Sequence, residues 1–231
     1  MFDKLIFDKA NEGKERAEFE KYKKLKGVYL HKQVYDILLE ANGGENVTYY
    51  ELSSIIRYDK KLRDTLYIYL ATIEENLRVL LLDNFDLKPN TPKFKQRPST
   101  QTLCDALIPK QYLESSELYF KLKADFKVLM ETCVAKKVVS ISHDVMSLVK
   151  ELRNDVMHHH LLIFGGAHNL KEAKDNFAAF ERKIEALITL LPIEYARGFK
   201  NDITKLNGAS YEKYLKKYFL EENNGKLRIC I

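Results

Sequence analysis

Ten consecutive residues concentrate the polar chemistry of the chain: Glu151-Leu152-Arg153-Asn154-Asp155-Val156-Met157-His158-His159-His160. Imidazole exchanges a proton near neutral pH, and guanidinium is a fixed cation whose planar fork matches two phosphoryl oxygens. The two suit a phosphoryl transfer in which a proton moves while negative charge accumulates on oxygen. Read as one continuous helix with Ile141 set at zero, the apolar stripe runs from about −20° to about +80°. On that wheel His159 falls at about 0°, Arg153 at about 120°, Asn154 at about 220° and His158 at about 260°. His159 then points into the core and the other three do not. Asn154 and His158, four residues apart, share a face, whereas Arg153 meets His158 only through its long side chain or across a partner subunit.

Other readings of the same residues stand beside this one. A run of three histidines is a candidate metal site, but neighbours on a helix diverge, so a single Zn²⁺ would take at most one or two of them, and no cysteine lies nearby. Arg153 with Glu151 or Asp155 also reads as a solvated charge cluster, and His159 as a satisfied core histidine.

The elements that must position these residues are helical. Ile141, Val145, Leu148, Val149, Leu152 and Val156 repeat at helical steps after Ser140 and Ser142, and Gly165-Gly166 supplies a stop. Leu62, Leu66, Tyr69, Leu70, Ile73, Leu77, Leu80 and Leu81 form a stripe of roughly 120° on an earlier helix. Before it, a helix running to about residue 42 ends at Gly43-Gly44, and a short amphipathic segment, Tyr49 to Arg57, starts at a Thr48/Glu51 capping box. Residues 86–100 carry Pro89, Pro92 and Pro98 among Lys88, Lys93, Lys95 and Arg97 and read as a basic loop. Short helices over 103–117 and a longer one over 118–133 follow. A helix from Ala173 to Leu191 runs through Phe177, Phe180, Ile184, Leu187 and Ile188 and is closed by Pro192, and a last one spans Tyr211 to Phe219.

With 231 residues, 45% hydrophobic and 31% charged, the chain is long and apolar enough for a substantial core, so a disordered chain and a mini-protein scaffold are excluded. Nine Gly and five Pro in the whole chain disfavour turn-rich sheet folds and favour long helices. The expected class is all-α, one helical domain over 1–231. Lys plus Arg number 38 against 33 Asp plus Glu, a formal charge of +5 that tolerates a polyanion without proving one. Cys104, Cys133 and Cys230 form no CxxC pair, which suits a reducing cytosol. Charge interrupts the N-terminus every few residues, so a cytoplasmic, unanchored protein is expected. No phosphate-binding glycine loop, nucleophile elbow or dinucleotide fingerprint occurs.

Arg153-Asn154-x-x-x-His158-His159 resembles the Arg-x4-6-His motif of HEPN-superfamily ribonucleases, in the form found in Abi-like abortive infection proteins. Upstream, Tyr58-Asp59-Lys60-Lys61-Leu62-Arg63-Asp64 running into Ile73-Glu74-Glu75-Asn76-Leu77-Arg78 resembles the Ile-Glu-x-x-Leu-Arg helix of the same family. The likeness covers about residues 50–190, with Val156-Met157 where the family often has small or Cys-Ala residues. It implies a HEPN-type helical bundle over about 50–192; outside the likeness, the chain's own pattern adds helical extensions over 1–45 and 195–231.

The resemblance further implies a homodimer with a composite active site that cleaves RNA without a metal or other cofactor, acting in phage defence as a toxin restrained by a small RNA or a protein. RNA supplies its own nucleophile in the 2′-OH, so no nucleophilic side chain is needed. His158 would exchange the proton and Arg153 would hold the phosphoryl oxygens, with Asn154 orienting His158 or binding a phosphate oxygen. His159, Glu74 and Arg78 are candidate supporting residues. Glu74 and Arg78, four apart, also read as an ordinary helical ion pair. Lys93, Phe94, Lys95 and Arg97, and Lys213, Lys216 and Lys217 with Tyr214 and Tyr218, are candidate RNA contacts, cations interleaved with rings on which bases can stack. The alternative within the same fold is an RNA-binding or dimeric scaffold protein without catalysis.

Overall fold

The computed structural model describes residues 1–84, 130, 133–134, 139–140, 142–158 and 160–207. Among them the architecture is all-α: α1 (Glu12–Lys26), α2 (Val28–Ala41), α3 (Tyr49–Asn84), α4 (His143–Met157), α5 (Leu170–Leu190) and α6 (Ile193–Asn207). The strands are β1 (Leu5–Ile6) and β2 (Val47–Thr48), a parallel two-residue ladder pairing Leu5 with Val47 and Ile6 with Thr48. Short as it is, the ladder ties the N-terminus to the start of α3. No described helix is long and apolar enough to cross a membrane. The helices expected over 103–117, 118–133 and 211–219 and the basic loop over 86–100 lie outside the described residues, apart from isolated positions near 130.

The single helix expected up to about residue 42 is two helices. Gly27 breaks it with φ 94° and ψ 141°, a backbone state that a side chain would strain, and its N–H still closes α1 on the Lys23 carbonyl at 3.0 Å. Acids in the first turn of α1 (Glu12, Glu15) and lysines in its last (Lys23, Lys24, Lys26) follow the helix dipole. The turn back lays α2 on α3, with Val34, Tyr35, Ile37 and Leu38 buried, and brings His31 edge-on to Phe19.

A second expectation, two helices over 49–57 and 62–81, is replaced by one helix of 36 residues, about 54 Å long. Its start is as read: the Thr48 hydroxyl accepts the Glu51 N–H at 3.1 Å, and Glu51 in return accepts the Thr48 N–H at 2.9 Å. Nothing between Arg57 and Lys61 breaks a helix. The apolar stripe is continued there by Tyr58 and Asp59, both buried, so the gap in hydrophobicity is a polar patch in the core face rather than an interruption. Leu62, Leu66, Tyr69, Leu70, Ile73 and Leu77 are buried as the stripe requires.

Helix α3 is the spine, packing on α2, α4 and α6, while α4 also packs on α5 and α5 on α2. Asn76 and Leu77 share a cavity with Ser142 and Val145 at the start of α4, whereas Asp59 bonds to residues just beyond its end, so α3 and α4 run antiparallel. Ser142 caps α4 by accepting the Val145 N–H, and Asn169 caps α5 by accepting the Glu172 N–H. Pro192 separates α5 from α6, which buries Phe199 and Ile203 against α3. There the Tyr69 hydroxyl donates to Asp202 at 2.8 Å, and a Cβ on Gly198 would stand 3.2 Å from that hydroxyl oxygen.

Candidate functional site

Helix α4 stops at Met157, well short of the expected stop at Gly165-Gly166. His158 is the C-cap residue, with φ −89° and ψ 8°, and its N–H still reaches the Asn154 carbonyl at 2.9 Å. The wheel used above therefore holds for Arg153 and Asn154 and fails from His158 onward. Four successive residues, Leu161 to Phe164, are all buried, which no single helical face can accomplish. The chain turns inward instead, and its backbone groups are taken up by side chains from three other helices.

From α3, the Asp59 carboxylate accepts the N–H of Leu162 at 2.6 Å and that of Ile163 at 3.3 Å. Arg63, one turn along, pairs with Asp59 and donates to the His160 carbonyl at 2.7 Å. From α2, the Gln33 amide donates to the carbonyls of Gly165 and Ala167 at 2.9 and 3.0 Å. From α5, Asn176 donates to the Phe164 carbonyl at 2.8 Å, close enough to Gly165 (φ 54°) that a Cβ there would lie 3.0 Å from the amide nitrogen. The turn that carries the histidines is therefore held along its length by directed bonds.

Burial dominates the electrostatics of Asp59. It pushes the carboxyl up to about 6, against the opposing pull of the Arg63 charge and the two backbone N–H groups. The same effect raises the buried Cys133 thiol to about 12, which leaves that cysteine unreactive.

Arg153 is half-buried on α4, and its Nε is buried without a hydrogen-bond partner. Among the described residues no carboxylate pairs with it. Asn154 is half-buried and His158 exposed. Beside His158 the structure places His160, the two rings 6.0 Å apart and inclined by 30°. His160 Nδ1 lies 3.2 Å from an Asp155 carboxylate oxygen, and the other oxygen of Asp155 accepts Lys183 Nζ of α5 at 2.8 Å. Lys183 also lies 3.4 Å from Glu151. A cleft of about 520 Å³ opens next to this group, between Tyr29 and Leu30 of α2, Phe180 and Lys183 of α5, and His160 of the turn.

Glu74 is half-buried on α3, roughly three turns and about 16 Å beyond Arg63, at the end that faces the start of α4. The fold thus sets it away from the histidine turn. His159, the side chain of Arg78, Lys93, Phe94, Lys95, Arg97, Lys213, Lys216 and Lys217 lie outside the described residues. Among the described residues no group of three or more His, Cys, Asp or Glu is placed to hold a metal.

Asp155, Lys183, Asp59 and Arg63 were not singled out as site residues from the sequence. Asp59 and Arg63 had a usable signal, a charged pair at i, i+4 interrupting an apolar stripe. Lys183 had none, since it joins the group only through the packing of α5 on α4. No protein-family model, curated protein or solved structure matches the chain.

Proposed function

We propose that this chain is a metal-independent endoribonuclease that works as a homodimer, with Arg153 and His158 in its active site and Asn154 supporting them. The observation that carries the reading is the state of Arg153: a guanidinium beside the histidine turn, with its Nε buried and no carboxylate on it among the described residues. Arg63, which holds the histidine turn, also has an unpartnered Nε but is paired with Asp59, so what sets Arg153 apart is a guanidinium with no carboxylate on it among the described residues, open to a phosphate. His158 supplies the second requirement, an exposed imidazole on a turn held by Asp59, Arg63, Gln33 and Asn176.

In the proposed reaction His158 takes the proton of the ribose 2′-OH, and Arg153 holds the phosphoryl oxygens as charge builds on them. The P–O5′ bond breaks, and the products are a 2′,3′-cyclic phosphate and a 5′-hydroxyl. The resemblance to abortive infection proteins supports a role in phage defence, with a small RNA or a protein as restraining partner.

The test is cleavage of a single-stranded RNA pool in EDTA, with the product ends determined. Arg153→Ala and His158→Ala are each expected to lower the rate by about 10²–10⁴ while leaving thermal unfolding in place. If wild type cleaves nothing, or if both variants cleave as wild type does, the ribonuclease reading is wrong and a binding or scaffold role remains. Activity that EDTA abolishes would point to a metal enzyme.

A further inference from the structure

We infer that His160 is a second catalytic residue, the general acid that protonates the departing 5′-oxygen, and that Asp155 is its positioning residue. The inference rests on the ribonuclease reading and adds to it a residue and a direction for the substrate.

Cleavage by the 2′-OH needs two proton transfers at opposite ends of one phosphorus. The entering and leaving oxygens stand in line across phosphorus, about 3–4 Å apart, and each must lie within hydrogen-bond reach of its own proton carrier. A single imidazole cannot hold both positions at once. The exposed rings of His158 and His160 are 6.0 Å apart, a separation that can straddle one phosphoryl group.

The two histidines are not equivalent. His158 has no carboxylate on its ring among the described residues, so neither of its nitrogens is held as Asp155 holds Nδ1 of His160. His160 has Asp155 at 3.2 Å from Nδ1, so Nδ1 carries a proton and Nε2 is the atom presented to the substrate. A general acid at this position donates from Nε2 while its Nδ1–H stays on Asp155, so the contact fixes which nitrogen faces the leaving oxygen. Lys183 fixes Asp155 from the far side at 2.8 Å, and Arg63 holds the His160 carbonyl at 2.7 Å, so the backbone and the orienting carboxylate are both held in place.

The cleft supplies the direction. His160 lines it and His158 does not, so the group leaving beside His160 has room of about 520 Å³, within the range that small-molecule sites occupy. The nucleoside on the 3′ side of the broken bond therefore sits in the cleft, next to the exposed Tyr29. The balance is complete. The 2′-OH proton passes to His158 as the P–O2′ bond forms, and the P–O5′ bond breaks with its electron pair on O5′, which takes the Nε2 proton of His160.

A substrate whose leaving group needs no proton isolates this role. In an RNA carrying sulfur in place of the bridging 5′-oxygen, the thiolate departs unprotonated. His160→Ala is expected to slow ordinary RNA by about 10²–10⁴ and the sulfur-bridged RNA by less than about threefold. Asp155→Asn should show the same selectivity with a smaller loss, and His158→Ala should slow both substrates alike. His160 is an exposed side chain, so its removal leaves the Lys183 to Asp155 contact standing. Equal losses on both RNAs for His160→Ala, or none on ordinary RNA, overturn the assignment while leaving Arg153 and His158 in place. Failure of wild type to cleave either RNA overturns the ribonuclease reading and this assignment with it.

Discussion

The carboxylate of Asp59 accepts the backbone N–H of Leu162 at 2.6 Å, joining positions 103 residues apart in the chain. In a continuing helix that N–H would have donated to the His158 carbonyl, so the bond to Asp59 replaces a helical bond and turns the chain at the histidines. A buried acid on the 36-residue helix α3 thereby decides where α4 ends and which way its last residues face. Removing that acid, or the cation beside it, is expected to act on the site from a distance.

Stability should depend on pH through Asp59. Its folded value of about 6 lies above the ordinary 3.8, so between these limits the native state binds a proton that the unfolded chain has released. The contribution is therefore full below about pH 4 and declines as pH rises through 6, by a few kcal/mol at most. Urea unfolding of wild type and Asp59→Asn from pH 4 to 7 checks this. The variant, which keeps an oxygen acceptor for Leu162 and Ile163, should lose this decline, and an unchanged pH profile would refute the assignment to Asp59.

Arg63→Ala should be more harmful than Asp59→Asn at neutral pH. It leaves a buried carboxylate without its countercharge and frees the His160 carbonyl, at a cost of about 3 kcal/mol. Combining the two changes should recover part of that loss, because the uncompensated charge is gone. Hydrogen exchange at the Leu162 and Ile163 amides should rise in Arg63→Ala before exchange in α5 does. Simple additivity of the two variants would show that the pair is not coupled.

A composite site makes a distinctive demand on mixed dimers. Arg153→Ala and His158→Ala chains, each inactive alone, should regain about a quarter of wild-type activity when unfolded together and refolded as a random mixture. Half the dimers are then mixed, and one site of each mixed dimer receives an intact Arg153 from one chain and an intact His158 from the other. No recovery, with mixed dimers present by mass, would place both residues of each site on the same chain.

At the other end of the spine, α6 depends on the absence of a side chain. Gly198→Val should drive α6 off Tyr69, whose hydroxyl oxygen would lie 3.2 Å from the new Cβ, and lower stability by about 1–3 kcal/mol. Tyr69→Phe removes the bond to the half-buried Asp202 and should cost only about 1 kcal/mol. Thermal unfolding of the two variants orders them, and a Tyr69→Phe loss as large as that of Gly198→Val would shift the weight from packing to the hydrogen bond.

Features that arise within one or two helical turns were legible in the chain. The Thr48/Glu51 box, the Ser142 cap and the stripe from Leu62 to Leu77 need only neighbours in sequence, and each is found where its residues stand. Gly27 was harder, because one glycine inside a charged helical stretch can be tolerated or can break it, and what settles the matter is the return of α2 onto α3. The end of α4 was misread for a related reason. Apolar residues through Phe164 satisfy a helical pattern as readily as a buried turn, and the difference lies in which partner takes their backbone N–H groups.

By itself the sequence determined an all-α chain, the Thr48/Glu51 and Ser142 caps, the core face from Leu62 to Leu77, and the run of residues from Glu151 to His160 in which arginine and histidine stand together, while the Asn169 cap and the bounds of helix α6 were not read from it. Tertiary structure alone decided that Asp59 and Arg63 are a buried clamp rather than a surface pair, that His160 faces a cleft, and that Lys183 steadies Asp155. The physical reason is range. Helix propensity and capping act over a few residues, whereas burial of a charge and the choice of a hydrogen-bond partner are settled only when distant segments exclude water together.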